Sequence, residues 1–368
     1  MANLFKSFST WIIIGVIAAI LPLIFDSSFA LTLLSKMGVL IIFTVAYNML
    51  LGQGGMLSFG HAIYFGLAGY ASIHIMNGIG AETLPYFPTV LFPLIGAVVG
   101  LFFGSLVGYV STRRAGTAFA MISLGFCEMV TAMTLIFVLF FNGEDGIQTD
   151  RMVGPEPFGI TFGPQIEIYY LILFWCVVTV ALMYIITKTP FGRMSNAVRE
   201  NPERAAFIGY SVRRVRWQAF ALSSMFAGAA GSLHALNYEH IGFESVSVIQ
   251  SGAVLFMAFI GGAGHFLGPI VGAIGLTYLD STLADYTEAW LLYLGLTFSG
   301  IVMFAPGGLA GLIVMHGPIA RTDKKLLTSL VKPYLLAIGS VVTGLIGLIG
   351  IIEMLYFRSL ISKGEGEV

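Results

Sequence analysis

The stretch YFPTVLFPLIGAVVGLFFGSLVGYVSTRRAGTAFAMISLGFCEMVTAMTLIFVLFF, residues 86–141, decides the fold class. It holds two apolar runs, 86–110 and 117–141, joined by a short turn carrying Arg113 and Arg114. A helix of about 20 residues covers the hydrocarbon core of a bilayer. Backbone polar groups find no water there, so each run must satisfy its own hydrogen bonds as a helix. The paired arginines between the runs mark the cytoplasmic side, because Lys and Arg in short loops set orientation. Glu128, twelfth in the second run, is its single charge.

Working outward, the same reading places spans at 11–25, 31–51, 56–76, 86–110, 117–141, 166–187, 215–236, 248–263, 266–284, 287–305 and 333–357. The chain is therefore expected to be all-α, a polytopic membrane bundle of ten to eleven helices with a cytoplasmic N-terminus. The first span reads as retained; the small-x-small triplet Ser28-Phe29-Ala30 offers cleavage as the alternative. Composition agrees. Of 368 residues, 57% are apolar and 10% charged, against about 45–50% and 25% in soluble domains. Mean hydropathy is +0.90. These values exclude a soluble enzyme, a disordered chain and a nucleic-acid binder. The net charge of −1 implies no bulk electrostatic partner.

Charge tests the count of spans. With the N-terminus inside, most of the 18 Lys and Arg fall on the inner side: Lys6, Arg113, Arg114, Lys188, Arg193, Arg199, Arg204, Arg213, Arg214, Arg216, Arg321, Lys324, Lys325 and Lys332. Acids such as Glu82, Glu144, Asp145, Asp150, Glu239, Glu244 and Asp280 collect outside. One interior span more or fewer would split the basic clusters between the faces. The last span puts the tail GEGEV outside.

No soluble domain is predicted, and the longest loops are 142–165 outside and 188–214 inside. The outer loop is Gly- and Pro-rich and acidic, so it reads as a cap or docking surface, or as a plain solvated loop. The inner loop predicts a short helix over 202–208. Asn201 can cap its N-terminus. Pro202 suits the first helical position, and Glu203 in the first turn suits the helix dipole. Ala205, Ala206, Phe207 and Ile208 continue it, and Gly209 can close it in a left-handed conformation. Phe207 and Ile208 among so many charges point to insertion into a partner; a helix on lipid headgroups is the alternative.

Glycines crowd LGQGGMLSFGHAIYFGLAGY (51–70) and IGGAGHFLGPIVGAIG (260–275). A shift of 208 superposes Gly54 on Gly262 and Gly60 on Gly268, a weak internal repeat in Gly-rich sequence. Glycine-broken segments in two halves of a membrane chain point to a translocation path. Gly54, Gly55, Ser58, Gly60, Gly262, Gly264 and Gly268 are the candidates, with Glu128, since an ionisable residue at membrane depth is functional by default. Glu128 reads either as a path or gate residue, or as a structural hydrogen-bond partner, bonding Ser123 or Thr131 on its own helix or groups on a neighbouring one.

GQGGMLSFGHAIYFGLAGY (52–70), RRAGTAFAMISLGFCEM (113–129), TPFGRMSNAVRENPERAAFIGYSVRRVRWQAFALSSMFAGAAGSL (189–233), GGAGHFLGPIVGA (261–273) and FAPGGLAGL (304–312) resemble the permease subunit of branched-chain amino-acid ABC importers, the M-type of its two. The resemblance covers roughly 30–315. It implies a bacterial inner (plasma) membrane protein that works with a second related permease, two cytosolic ATPase subunits and a periplasmic solute-binding protein. It likens Glu203-Arg204-Ala205-Ala206 with Gly209 to the loop such permeases insert into the ATPase. It implies a branched-chain or other apolar amino acid as solute; related systems carry urea, amides or aromatic acids. Residues 1–315 are read as the permease domain, and 316–368 as a basic linker and an extra C-terminal helix that the family usually lacks.

Chemistry of sites is sparse. No GxxxxGK[ST] motif is present, so no cofactor of its own is expected, and ATP with Mg²⁺ falls to the partner ATPases. No HExxH or GxSxG occurs. The six histidines have no metal-ligand spacing, and Cys127 and Cys176 read as inert buried thiols. A stand-alone ion-coupled carrier is the alternative function, but it needs several membrane-embedded polar ligands, and only Glu128 qualifies.

Overall fold

The computed structural model describes residues 15–25, 27–152, 161–286, 290–305 and 307–311. Its helices are α1 (Gly15–Ile24), α2 (Ser28–Asn48), α3 (Ala62–Gly80), α4 (Phe92–Ser111), α5 (Thr117–Ile136), α6 (Val138–Phe141), α7 (Gln165–Lys188), α8 (Pro190–Glu200), α9 (Pro202–Phe207), α10 (Val212–Tyr238), α11 (Val248–Gly261), α12 (Gly268–Tyr286) and α13 (Trp290–Phe304). Strands β1 (Ile147–Gln148) and β2 (His240–Ile241) make one short antiparallel pair, Ile147 opposite Ile241. The fold is thus the expected polytopic helical bundle. Among the described residues, five segments are long and apolar enough to cross a membrane: Ser28–Gln53, Thr89–Ser111, Thr117–Ile136, Gln165–Lys188 and Val212–Tyr238. The expected span 333–357, the tail, the whole of 316–368 and the start of the first span lie outside the described residues.

α10 is the axis of the bundle, packed against α4, α3 and α2. Its tightest neighbour is α4, where glycines recur every fourth position at Gly96, Gly100, Gly104 and Gly108, all buried. That spacing holds one helix face. A Cβ added at Gly100 would strike the Ser224 carbonyl, and one at Gly228 the Gly96 carbonyl. With lipid as apolar as leucine, helices associate by such close backbone approach and interhelical hydrogen bonds. Ser72 and Ser232 Oγ meet at 2.7 Å, and Trp217 Nε1 donates to the Ser105 carbonyl at 2.9 Å. The opposite face of α4 leaves Val98, Phe102 and Leu106 exposed, which suits hydrocarbon and not water.

Three local departures from expectation have physical causes. α2 ends in a π-helical turn, Met49–Gln53, and 54–61 runs non-helically, so the expected span 56–76 becomes a helix from Ala62. Gly55 with φ +64° makes this break. The non-helical backbone is satisfied by neighbouring side chains: Phe59 N–H donates to Ser123 Oγ and Ala62 N–H to Ser251 Oγ, each at 3.0 Å. α5 stops at Ile136, not 141, because Phe137 leaves helical geometry (φ −85°, ψ +64°) and Asn142 turns left-handed. The inner loop holds two helices where one was expected. Thr189 Oγ1 accepts from Gly192 N–H with Pro190 at the first position, starting α8.

Contacts sort the loops into two ends. Arg213 of α10 and Arg113 of the α4–α5 turn share the Tyr109 ring. Gly52 lies against Arg199 and Ala263. At the other end Asn77 Nδ2 donates to the Gln148 carbonyl, and Arg151 N–H to Glu239. Of the loops expected inside, 52–55, 111–116 and 188–214 thus gather at one basic end, with Ala263 beside 264–265.

Candidate coupling site and translocation path

α9 is built as its sequence predicts. Asn201 Oδ1 accepts from Arg204 N–H at 2.8 Å, and Pro202 opens the helix. At the other end Gly209 N–H donates to the Ala206 carbonyl (2.9 Å) and Tyr210 N–H to that of Ala205 (3.1 Å). This is the Schellman pattern, and it needs the left-handed residue that Gly209 supplies at φ +97°. The helix runs 202–207, with Ile208 at its C-cap. Ala205, Val198 and Val215 form a small apolar core of their own, apart from the main one, with Met194 and Val212 against it. That core joins α8, α9 and the start of α10. It leaves Phe207 91% and Ile208 71% exposed, with Glu203 and Ala206 also exposed.

The α8–α9 unit grips the broken end of α2. Arg199 Nη1 donates to the Gly52 carbonyl, and Ser195 Oγ to that of Gln53 at 3.4 Å. Gly55 packs on the Arg199 stem, where a Cβ would intrude. The other glycine segment arrives at the same place. A Cβ on Gly52 would meet the Ala263 carbonyl, and Gly262 (φ +107°) abuts Gly307 and Gly308 (φ +66°). Three glycine-rich motifs distant in sequence therefore meet beneath α8.

The candidate path residues take distinct places. Gly54 is buried where the π turn closes on the Leu50 carbonyl. Ser58 is buried, and its carbonyl accepts from Tyr47 Oη at 3.0 Å. Gly60 faces the Ser123 carbonyl, and Gly268 those of Gly261 and Gly262. Gly264 has open space around it. Gly54, Gly60 and Gly268 are thus closed backbone contacts in this conformation. Glu128 is exposed on the outer face of α5, between Gly125 and Met129, which are exposed too. Ser123 and Thr131, the partners expected on its own helix, bond elsewhere: Ser123 Oγ donates to the Ala120 carbonyl, and Thr131 Oγ1 to that of Val246.

Other features lay outside the sequence reading. Glu128 is not the one acid within a helix, since Asp280 of α12 pairs with Lys36 of α2 at 3.0 Å, both about one-third exposed. The signal was a lone cation and a lone anion in apolar runs. Arg151, placed in the outer loop, is buried and donates to the carbonyls of Phe162, Leu236, Asn237 and Gly163. It ties that loop to the end of α10. His61 is a packed histidine: Ser223 Oγ gives its proton to the Ala46 carbonyl (2.6 Å), so it accepts from His61 Nε2 (2.9 Å). Among the described residues no cluster of His, Cys, Asp and Glu could hold a metal ion.

A multi-helical membrane bundle with glycine-broken helices and a capped, exposed helix pair at its basic end defines a permease-type membrane protein. The chain belongs to the family described as the permease component of branched-chain amino acid transport systems, whose model matches residues 29–307. Such chains are subunits of ABC transporters and lack an ATPase site of their own. It is 27% identical over 309 residues to the high-affinity branched-chain amino acid transport system permease protein LivM of Escherichia coli, covering 78% of this chain and 69% of that one. It is 26% identical over 308 residues to the galactose/methyl galactoside import permease protein MglC of Salmonella typhimurium, covering 74% and 89%. The autoinducer 2 import system permease protein LsrC of Klebsiella pneumoniae is 29% identical over 206 residues, 53% of this chain and 55% of that one. No solved structure matches the chain.

Proposed function

We propose that this chain is the translocation subunit of a binding-protein-dependent importer for branched-chain or other apolar amino acids in a bacterial inner membrane. Likeness to LivM supports that solute class. The basic end faces the cytoplasm, following the excess of Lys and Arg there. α9 docks in a cleft of an ATPase subunit, which holds ATP and Mg²⁺. The exposed face of α5 meets the second permease, and Glu128 borders the solute path between them, since a carboxylate at membrane depth is costly against lipid. The solute-binding protein delivers at the end tied by Arg151. When the ATPases close, α8 and α9 move, Arg199 draws on the broken end of α2, and the glycine contacts beneath it part.

The observation that carries this reading is a fully capped six-residue helix presenting Phe207 and Ile208 to solvent. An apolar pair held out by a helix that is itself well anchored suits insertion into a protein cleft. The test is purification of the tagged chain from its membrane, followed by import assays in proteoliposomes. A co-purifying P-loop ATPase and ATP-dependent import support the reading. Solute uptake by the chain alone, driven by an ion gradient, would show a secondary carrier instead.

A further inference from the structure

Where α4, α5 and α10 approach the basic end, an open groove of about 700 Å³ runs along their outer surface. Val98, Leu101, Phe102 and Leu106 of α4, Phe126 of α5 and Trp217 of α10 line it. At its head stands Tyr109, half exposed. Two guanidinium groups converge on this ring: Arg113 lies 5.0 Å and Arg213 4.8 Å from its centroid. Both arginines are exposed. Among the described residues neither pairs with a carboxylate. Cation–π contact holds each charge in place, yet two like charges on one ring repel unless an anion joins them.

We infer that this groove binds one anionic phospholipid, an acyl chain lying along α4 and the phosphate between Arg113 and Arg213. The parts match that occupant from end to end. Apart from Ser105 the lining is aliphatic and aromatic along α4 from Val98 to Val110, and the charge begins where α4 ends. Trp217, fixed by its bond to the Ser105 carbonyl, stands where amphipathic rings favour the membrane interface. Basic pockets between helices on one membrane face select anionic headgroups. A zwitterionic lipid brings its own cation to the arginines and gains less. A partner helix would have to supply both the apolar ridge and a carboxylate for the arginines.

The test uses the whole transporter in nanodiscs. Trp217 fluorescence is taken as the difference between the native complex and its Trp217→Phe variant. Its quenching is compared for acyl-brominated phosphatidylglycerol and acyl-brominated phosphatidylcholine. Each basic residue near an anionic surface contributes a factor of about 5, so the native groove should prefer phosphatidylglycerol roughly 30-fold. Arg113→Gln or Arg213→Gln alone should leave about 5-fold, and the double variant none. In the unaltered protein the preference should also shrink as salt rises, which keeps the test independent of variant folding. Equal quenching by the two lipids, a preference that survives the double variant, or quenching by neither lipid would overturn the site; the last would show the groove filled by protein.

Discussion

Arg199 of α8 donates to the backbone carbonyl of Gly52, a residue 147 positions earlier at the broken end of α2. The bond joins the helix pair proposed to dock on the ATPase to the segment where three glycine motifs meet. A charged donor on a neutral carbonyl is worth about 1.5–3 kcal/mol when the partner is left unpaired. On the proposed function that energy would couple two movements.

Arg199→Ala should therefore lower the solute imported per ATP hydrolysed by tenfold or more, while hydrolysis itself persists. Arg199→Lys keeps the charge but not the planar fork, and should fall between. The measurement is parallel import and phosphate release in proteoliposomes. An unchanged ratio in Arg199→Ala would remove the bond from the coupling route.

The glycine contacts make a separate prediction. Gly100→Leu should destabilise the bundle by about 1–3 kcal/mol or more, because overpacking meets backbone that cannot yield. Gly60→Leu and Gly268→Leu belong with it, since each side chain would strike a neighbouring carbonyl. All three should lower the thermal midpoint in detergent. Val98→Leu on the lipid face of α4 should leave it unchanged. Stable, transport-dead Gly60→Leu and Gly268→Leu would show instead that the contacts open readily and block a pore.

Much of this was legible in sequence, for reasons that differ by element. α9 was read almost to the residue because its caps are local chemistry: Asn201 and Gly209 each act on backbone within a few positions. α8 was missed because its signals, Thr189 and Pro190, also mark the end of a span. The Gly96–Gly108 repeat stood in plain view, but its partner on α10 is a property of packing. The extent of the break at 54–61 is not legible because its residues are apolar enough to continue a span, and the groups that satisfy it, Tyr47, Ser123 and Ser251, come from other helices. The Lys36–Asp280 pair is non-local in the same way.

Glu128 offers a test of charge. Glu128→Gln keeps the shape and hydrogen bonding of the side chain and forbids its charge. If that charge guides solute through the path, import by the variant should drop severalfold. Import should be compared at neutral pH and saturating ATP. Import matching the native protein would assign the residue to the contact with the second permease alone.

The central claim is that α9 docks into an ATPase. Phe207→Asp puts a charge at the most exposed apolar position of the helix, and Gly209→Val forces a branched residue into the left-handed region at a local strain of about 1–2 kcal/mol. Neither touches a membrane-spanning helix, so both chains should insert. The decisive measurement is the ATPase recovered with each purified permease, together with its hydrolysis under loaded binding protein. The account predicts that Phe207→Asp loses the ATPase or its stimulation at least tenfold, with Gly209→Val impaired in the same direction. Recovery and stimulated hydrolysis equal to the native complex in both variants would contradict it.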